Sequence, residues 1–305
     1  MPENKKYLIV IGGATATGKT ALSIEIARHF QTEILSADSR QFYKEMTIGT
    51  AKPSEEELAT VLHHFINSLH IADDYSVGDF ETDALAILEE IFQKKEVAVL
   101  TGGSGLFIRA LCEGLDEFPE VPESVKDNVA NLYEKGGITV LQEELRQSDP
   151  AYFAQVDRNN PQRLMRALAV CRASGRPFSS FQKKEKVKRP FEPIYILLQL
   201  EREVLYEKIN RRVDLMMETG LLEETRRLLP FRDLNALQTV GYQELFEYLD
   251  GKASLEEAVE KIKQNSRRYA KRQKTWFRKD PHWAIFSPDD KESILQFIKA
   301  RMNEA

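Results

Sequence analysis

Gly13-Ala14-Thr15-Ala16-Thr17-Gly18-Lys19-Thr20 stands between an apolar run, Tyr7-Leu8-Ile9-Val10-Ile11, and an amphipathic stretch from Ala21 to Phe30. A strand, a glycine-rich turn and a helix in that order make a phosphate-binding loop, or P-loop. Glycines at 13 and 18 let backbone N–H groups close around phosphate oxygens. Lys19 brings a point charge, Thr20 a hydroxyl placed to meet Mg²⁺, and the helix N-terminus its dipole. All eight residues, Gly13, Ala14, Thr15, Ala16, Thr17, Gly18, Lys19 and Thr20, are the expected diphosphate or nucleotide cradle. The loop alone leaves open whether its phosphates belong to a nucleotide or to another diphosphate.

Further apolar runs extend the pattern. Glu96-Val97-Ala98-Val99-Leu100 ends in Thr101-Gly102-Gly103-Ser104-Gly105, a buried strand followed by a glycine turn. Phe80, Ala84, Leu88 and Ile91 recur at helical spacing before it. Glu33 to Ala37 is a weaker strand leading into Asp38-Ser39-Arg40-Gln41, and Ile194 to Leu200 is the last strong one. Strands alternating with helices predict an α/β fold, a P-loop NTPase-like parallel sheet flanked by helices. Residues 121–189 show helical patterns and no good strand. They read as a helical insertion domain ending in a basic, mobile connector, Lys183 to Pro190. Residues 1–120 and 190–305 then form the core domain, helical from Glu203 onward.

Composition excludes several classes. A chain of 305 residues, 42% hydrophobic and 30% charged, can bury a sizeable core. The polar start and short apolar runs predict neither a signal peptide nor a membrane span, so a cytoplasmic enzyme is the default. Cys112 and Cys171 are too few for a disulfide framework and lack zinc-ligand spacing. His63 and His64 are adjacent and point apart, which argues against a metal site. A net charge of −5 means that any nucleic-acid site is a local patch.

Three such features stand out. Asp38, just past a strand end on the P-loop's edge of the sheet, can serve as a general base or hold Mg²⁺ through water; a plain loop Asp is the bland alternative. Asn160-Pro161 starts a helix that Gly175 ends. There Leu164, Leu168 and Cys171 share one face, and Gln162 and Arg166 lie opposite with Arg163 on a flank. Ser254 and Glu257 form a capping box, after which Leu255, Ile262, Tyr269 and Trp276 repeat every seven residues as an expected core stripe. Arg267, Lys271, Lys274 and Arg278 fall opposite, a ridge able to follow a phosphate backbone.

The chain closely resembles the bacterial-type tRNA dimethylallyltransferases, also called tRNA isopentenyltransferases. The resemblance rests on the P-loop, Ser36 to Tyr43, Ile48-Gly49-Thr50-Ala51-Lys52-Pro53, His63-His64, Tyr75-Ser76 and Asp79-Phe80. It continues through Gly102 to Leu106, Asn160 to Leu168, Val240-Gly241-Tyr242, Ala270 to Gln273 and Thr275-Trp276, all in family order. It implies transfer of a dimethylallyl group from dimethylallyl diphosphate to the exocyclic amine of the adenine 3′ of the anticodon, in tRNAs reading codons that begin with U. It further implies Asp38 as general base, Thr15 and Lys19 stabilising the leaving diphosphate, and Thr20 on Mg²⁺. Contacts to tRNA would come from Asp38, Ser39, Arg40, Gln41 (reading the adenine edge) and Ser104. Further contacts would come from Gln162, Arg163, Leu164, Met165, Arg166, Gly241, Tyr242, Gln243, Lys271 and Lys274. Ala14 replaces the family's usual proline, Ser104 a common threonine, Phe107 a tyrosine, and Gln243 an arginine of many members. A monomer is the simplest expectation. The rivals are a P-loop small-molecule kinase and a GTPase-like switch, the latter lacking an Asn-Lys-x-Asp motif.

Overall fold

Every residue of the strand that leads into the P-loop is buried, because helices cover both faces of the sheet in which it is central. The computed structural model describes residues 5–182 and 186–304. In chain order it contains β1 (Tyr7–Gly13), α1 (Lys19–His29), β2 (Ile34–Ser36), α2 (Glu55–Thr60), β3 (His63–His64), α3 (Val77–Lys94), β4 (Val97–Gly102) and α4 (Gly105–Glu113). Then follow α5 (Glu123–Ser148), α6 (Pro150–Phe153) and α7 (Pro161–Ser174). Last come β5 (Glu192–Leu198), α8 (Arg202–Glu218), α9 (Leu221–Leu228), α10 (Tyr242–Leu249), α11 (Leu255–Phe277), β6 (Ala284–Phe286) and α12 (Lys291–Glu304).

The chain divides into one unit of Met1–Glu113 with Lys188–Ala305 and another of Gly114–Val187. Sequence patterning put the second unit at 121–189; the helix before it already ends at Glu113. The first unit holds a six-stranded sheet ordered β3-β2-β4-β1-β5-β6, with every neighbouring pair parallel. Alternate residues feed opposite faces. Leu8, Val10, Leu35 and Leu100 meet Phe80, Leu88 and Leu111 of α3 and α4. Ile9, Ile11, Ile34 and Val99 meet Leu22 and Ile26 of α1 and Ile294 and Ile298 of α12. All the carboxyl ends therefore lie on one edge, where the P-loop begins.

Two strands escaped the sequence pattern. β3 has two residues, and β6 has three with Ile285 57% exposed, so neither carries an apolar run. The connector expected to be mobile is also different at its end. Arg189 is ion-paired with Glu81 and donates to Ala110 O at 2.8 Å; Lys183 to Glu185 lie outside the described residues.

The second unit packs α5, α6 and α7 around Leu141, Leu145, Leu164, Leu168 and Phe178. Asn160 caps α7 by accepting from Arg163 N at 3.2 Å, and Gly175 ends it at φ +65°. Buried Asp149 accepts from Tyr152 N at 2.9 Å and Ser179 N at 2.6 Å.

Within the first unit, buried Glu224 of α9 accepts from the N–H groups of Thr47, Ile48 and Gly49 at 3.0, 2.8 and 3.0 Å. Tyr242 donates its hydroxyl to the same carboxylate at 2.7 Å. Tyr242 is wholly buried, so its expected contact with RNA is replaced by a structural one. Gly49 has to be glycine, since an added Cβ would sit 2.5 Å from the Tyr242 ring. Gly49→Ala should therefore cost about 1–3 kcal/mol of stability, measured by urea unfolding. A loss within about 0.5 kcal/mol, the range of neutral surface changes, would mean that the loop retreats freely.

Candidate active site

The P-loop closes through backbone conformations that side chains resist. Gly18 has φ +90° and Ala16, a non-glycine residue, φ +64°, turning successive N–H groups toward a common centre. Thr17 Oγ1 and Lys19 Nζ each donate to Ala14 O at 2.8 Å. The first turn of α1 carries no acidic residue, so nothing on that turn offsets the positive end of the helix.

Asp38 faces this loop from the end of β2. Arg40 N donates to its Oδ1 at 3.1 Å. Desolvation pushes the Asp38 carboxyl above the ordinary carboxylate range, against the opposing pull of the Arg40 N–H and the Lys19 charge. Desolvation also lowers Lys19, to about 8, with Asp38 opposing the shift and Arg212 adding to it. Arg212, from α8, donates to Thr15 Oγ1 at 3.2 Å and is itself lowered by burial. Two cations and one carboxylate therefore share a poorly solvated cleft at the mouth of the loop.

The residues around Asp38 are tied together. Ser39 N donates to Ser104 Oγ at 3.3 Å, and Ser104 Oγ lies 3.5 Å from Ser39 Oγ. Gln41 Nε2 donates to Thr50 O and Ala51 O, both at 3.2 Å, while Ser36 Oγ donates to its Oε1 at 3.3 Å. Both amide hydrogens of Gln41 are thus engaged with the loop pinned by Glu224, and no free donor faces a base edge.

The glycines after β4 serve packing. A Cβ on Gly102 would collide with Ala37 O, one on Gly103 with the Gln273 amide, and one on Gly105 with the Trp276 indole. A Cβ on Gly12 would come 2.7 Å from Trp283. Their small size admits α11 and the Ala37 backbone. Gln273, only 7% exposed, accepts from Thr15 N at 2.9 Å and donates to Gly103 O at 3.0 Å.

The buried face of α11 is Ala258, Ile262, Ala270, Gln273 and Phe277. The seven-residue repeat predicted Tyr269 and Trp276 in the core, but they are 39% and 38% exposed. Ala258 lies five turns before Trp276 on the same azimuth and is buried, so exposure is set by what each turn meets: Tyr269 feels the charges of Asp38 and Arg40, and Trp276 lies beside Gly105. Lys271, Arg272 and Arg278 are exposed and Lys274 is partly so. Among the described residues none of these four is in an ion pair, whereas Lys261 and Lys263 nearer the helix start pair with Glu247 and with Asp214 and Glu260.

The remaining expected RNA contacts divide by burial. Gln162, Arg163 and Arg166 are exposed on α7, with the Arg166 guanidinium 5.4 Å from the centre of the Phe118 ring. Leu164 is wholly buried, so α7 holds it inward, away from any RNA, whereas Met165 is partly buried against the same core. Gly241 has φ +101° at the start of α10, and exposed Gln243 donates to Gln238 Oε1 at 2.7 Å. Sequence reasoning missed Arg212, Gln273 and Glu224. Gln273 alone had a signal, as an uncharged residue inside a basic run.

The family model described as IPP transferase matches residues 41–280. A tRNA dimethylallyltransferase of Christiangramia forsetii is 54% identical over 299 residues, covering 97% of this chain and 99% of the relative. One of Flavobacterium johnsoniae is 51% identical, covering 96% and 98%. Among solved structures, the tRNA isopentenylpyrophosphate transferase of Bacillus halodurans superposes with a TM-score of 0.74 at 35% identity, covering 98% of each chain. A eukaryotic dimethylallyltransferase described as acting on tRNA gives a TM-score of 0.77 at 27% identity, covering 89% of this chain and 70% of its own.

The electrostatics of the cleft can be read with inorganic diphosphate. Lys19 attracts it only when protonated, so the affinity difference between wild type and Lys19→Met should be large at neutral pH. It should shrink as pH rises through about 8. Calorimetry showing the same gap on both sides of that pH would remove Lys19 as the titrating cation.

Proposed function

The chain belongs to the IPP transferase family, and on that premise we propose that it moves a dimethylallyl group from dimethylallyl diphosphate onto tRNA. The acceptor is the exocyclic amine of the adenine 3′ of the anticodon, in tRNAs reading codons that begin with U. The observation that carries this reading is the convergence of one carboxylate, Asp38, with Lys19, Arg212 and Thr15 at a phosphate loop.

In the transfer a C–O bond to diphosphate breaks and a C–N bond to the amine forms. Asp38 takes the proton that the amine sheds, and its raised pKa makes it a better acceptor than an ordinary carboxylate. Lys19, Arg212 and the Thr15 hydroxyl stabilise the charge that builds on the departing bridging oxygen. The loop N–H groups hold the diphosphate, so no phosphoryl transfer is needed.

Mg²⁺ fits as a companion of the diphosphate. Among the described residues no group of three His, Cys, Asp or Glu is placed for a metal. A cation would therefore rest on the Thr20 hydroxyl, with phosphate oxygens and water completing its shell, as suits Mg²⁺. When bound, the ion neutralises diphosphate charge.

The unpaired cations of α11, Lys271 and Lys274 with Arg272 and Arg278, supply a surface for the anticodon-loop backbone. Gln162, Arg163 and Arg166 supply another on the insertion unit, and Ser39, Arg40, Ser104 and Gln243 add polar contacts near the cleft. The target base has to leave its stack to reach Asp38. Among the described residues no helix is long and apolar enough to cross a membrane; the reading takes the protein as a cytoplasmic monomer acting on tRNA.

Incubation with labelled dimethylallyl diphosphate and unmodified tRNA should place label in the anticodon loop; folded protein giving none would sink this reading. Asp38→Ala should slow single-turnover transfer by about 10²-fold or more, with tRNA affinity little changed. Charge reversal at Lys271 and Lys274 should weaken tRNA binding and reduce the salt slope by roughly 1 per lost phosphate contact. An unchanged slope would return α11 to an ordinary solvated face.

A further inference from the structure

We infer that Gln273 is a positioning residue for the transfer, acting through Thr15; this rests on the reading of the cleft given above. Its amide is the direct link between α11 and two turns at the carboxyl ends of the sheet. The amide orientation is fixed by its partners. Thr15 N–H can only donate, so the group facing it at 2.9 Å is Oε1, and Gly103 O can only accept, so the group facing it at 3.0 Å is Nε2.

The consequence lies in the Thr15 peptide. A P-loop presents its N–H groups to phosphate, but the N–H of Thr15 is committed to Gln273. The residue can then serve the diphosphate through its hydroxyl alone, and that hydroxyl is where Arg212 donates at 3.2 Å. Gln273 thus fixes the peptide plane from which Thr15 Oγ1 projects. Loss of its oxygen frees a part-buried N–H to rotate in search of a partner, and the hydroxyl and Arg212 move with it.

The geometry also places this strap on a basic helix. Gln273 follows Lys271 by two residues and precedes half-buried Lys274 by one, so anything that shifts α11 pulls on Thr15. The fit leaves no slack: a Cβ on Gly103 would collide with Gln273 Nε2, and one on Gly105 with Trp276. A glutamine with both amide ends engaged resists displacement better than an apolar residue of the same size, which could slide.

The test is a double-mutant cycle on the full chain, with labelled dimethylallyl diphosphate and unmodified tRNA transcript in single turnover. Gln273→Met keeps the volume and removes both hydrogen bonds. It should slow transfer by about 10- to 100-fold, the scale of an ångström-sized misplacement, with tRNA affinity within about twofold. In a Thr15→Ala background the same change should cost less than about twofold, because the group it positions is gone. An equal cost in both backgrounds would mark a merely structural role and overturn the inference, as would a wild-type rate for Gln273→Met. If Gln273→Met does not fold, Gln273→Glu retains the acceptor toward Thr15 N–H. Thr15→Ala should then cost it the same factor as in wild type, and a smaller cost would overturn the inference. Wild-type protein that transfers no label would instead sink the reading of the cleft itself, so the two failures are distinct.

Discussion

Helix α11 can lie across the carboxyl edge of the sheet only because Gly103 and Gly105 have no side chains to keep it away. That close approach organises the rest of the cleft. It brings Gln273 between the P-loop and the turn after β4, and it seats Phe277 within the core on the α3–α4 side of the sheet. It also turns a row of uncompensated cations outward beside the diphosphate cradle. The phosphate site and the polyanion surface of the proposed reading would thereby share one close contact.

Burial sets the electrostatics of the cleft. Lys19 and Arg212 repel one another in a poorly solvated place, and Asp38 only partly offsets them. On the proposed reading, a diphosphate would relieve that repulsion and gain from a water-poor environment that strengthens each of its contacts. The same desolvation raises Asp38 and equips it to accept a proton. One physical cause, burial, thus shifts the carboxylate and both cations of the cleft together.

A second layer holds Asp38 and its neighbours in place. Glu224 collects three backbone N–H groups of the loop at 47–49 and the Tyr242 hydroxyl. Gln41 closes the same loop from the other side through the carbonyls of Thr50 and Ala51. The stretches Gly49 to Lys52 and Gly241-Tyr242 meet here: Gly49 leaves room for the Tyr242 ring. Residues that carry no reaction chemistry are in this way bound to the geometry of those that do.

The sequence by itself determined the parallel α/β sheet, the phosphate loop and the candidacy of Asp38, because apolar runs, glycine spacing and helix caps are local signals. It also exposed the basic run of α11 and the polar face of α7. It misjudged Tyr269 and Trp276, because one face of a long helix meets different neighbours at each turn: Ala258, on the same azimuth as Trp276, is buried. It put Leu164 and Tyr242 on an RNA surface, though burial reserves both for the core. Arg212, Gln273 and Glu224 were left to the tertiary structure. Each has a partner 170 residues or more away in the chain, and a charged or amide side chain on a helix looks the same in sequence whether it meets water or a buried backbone.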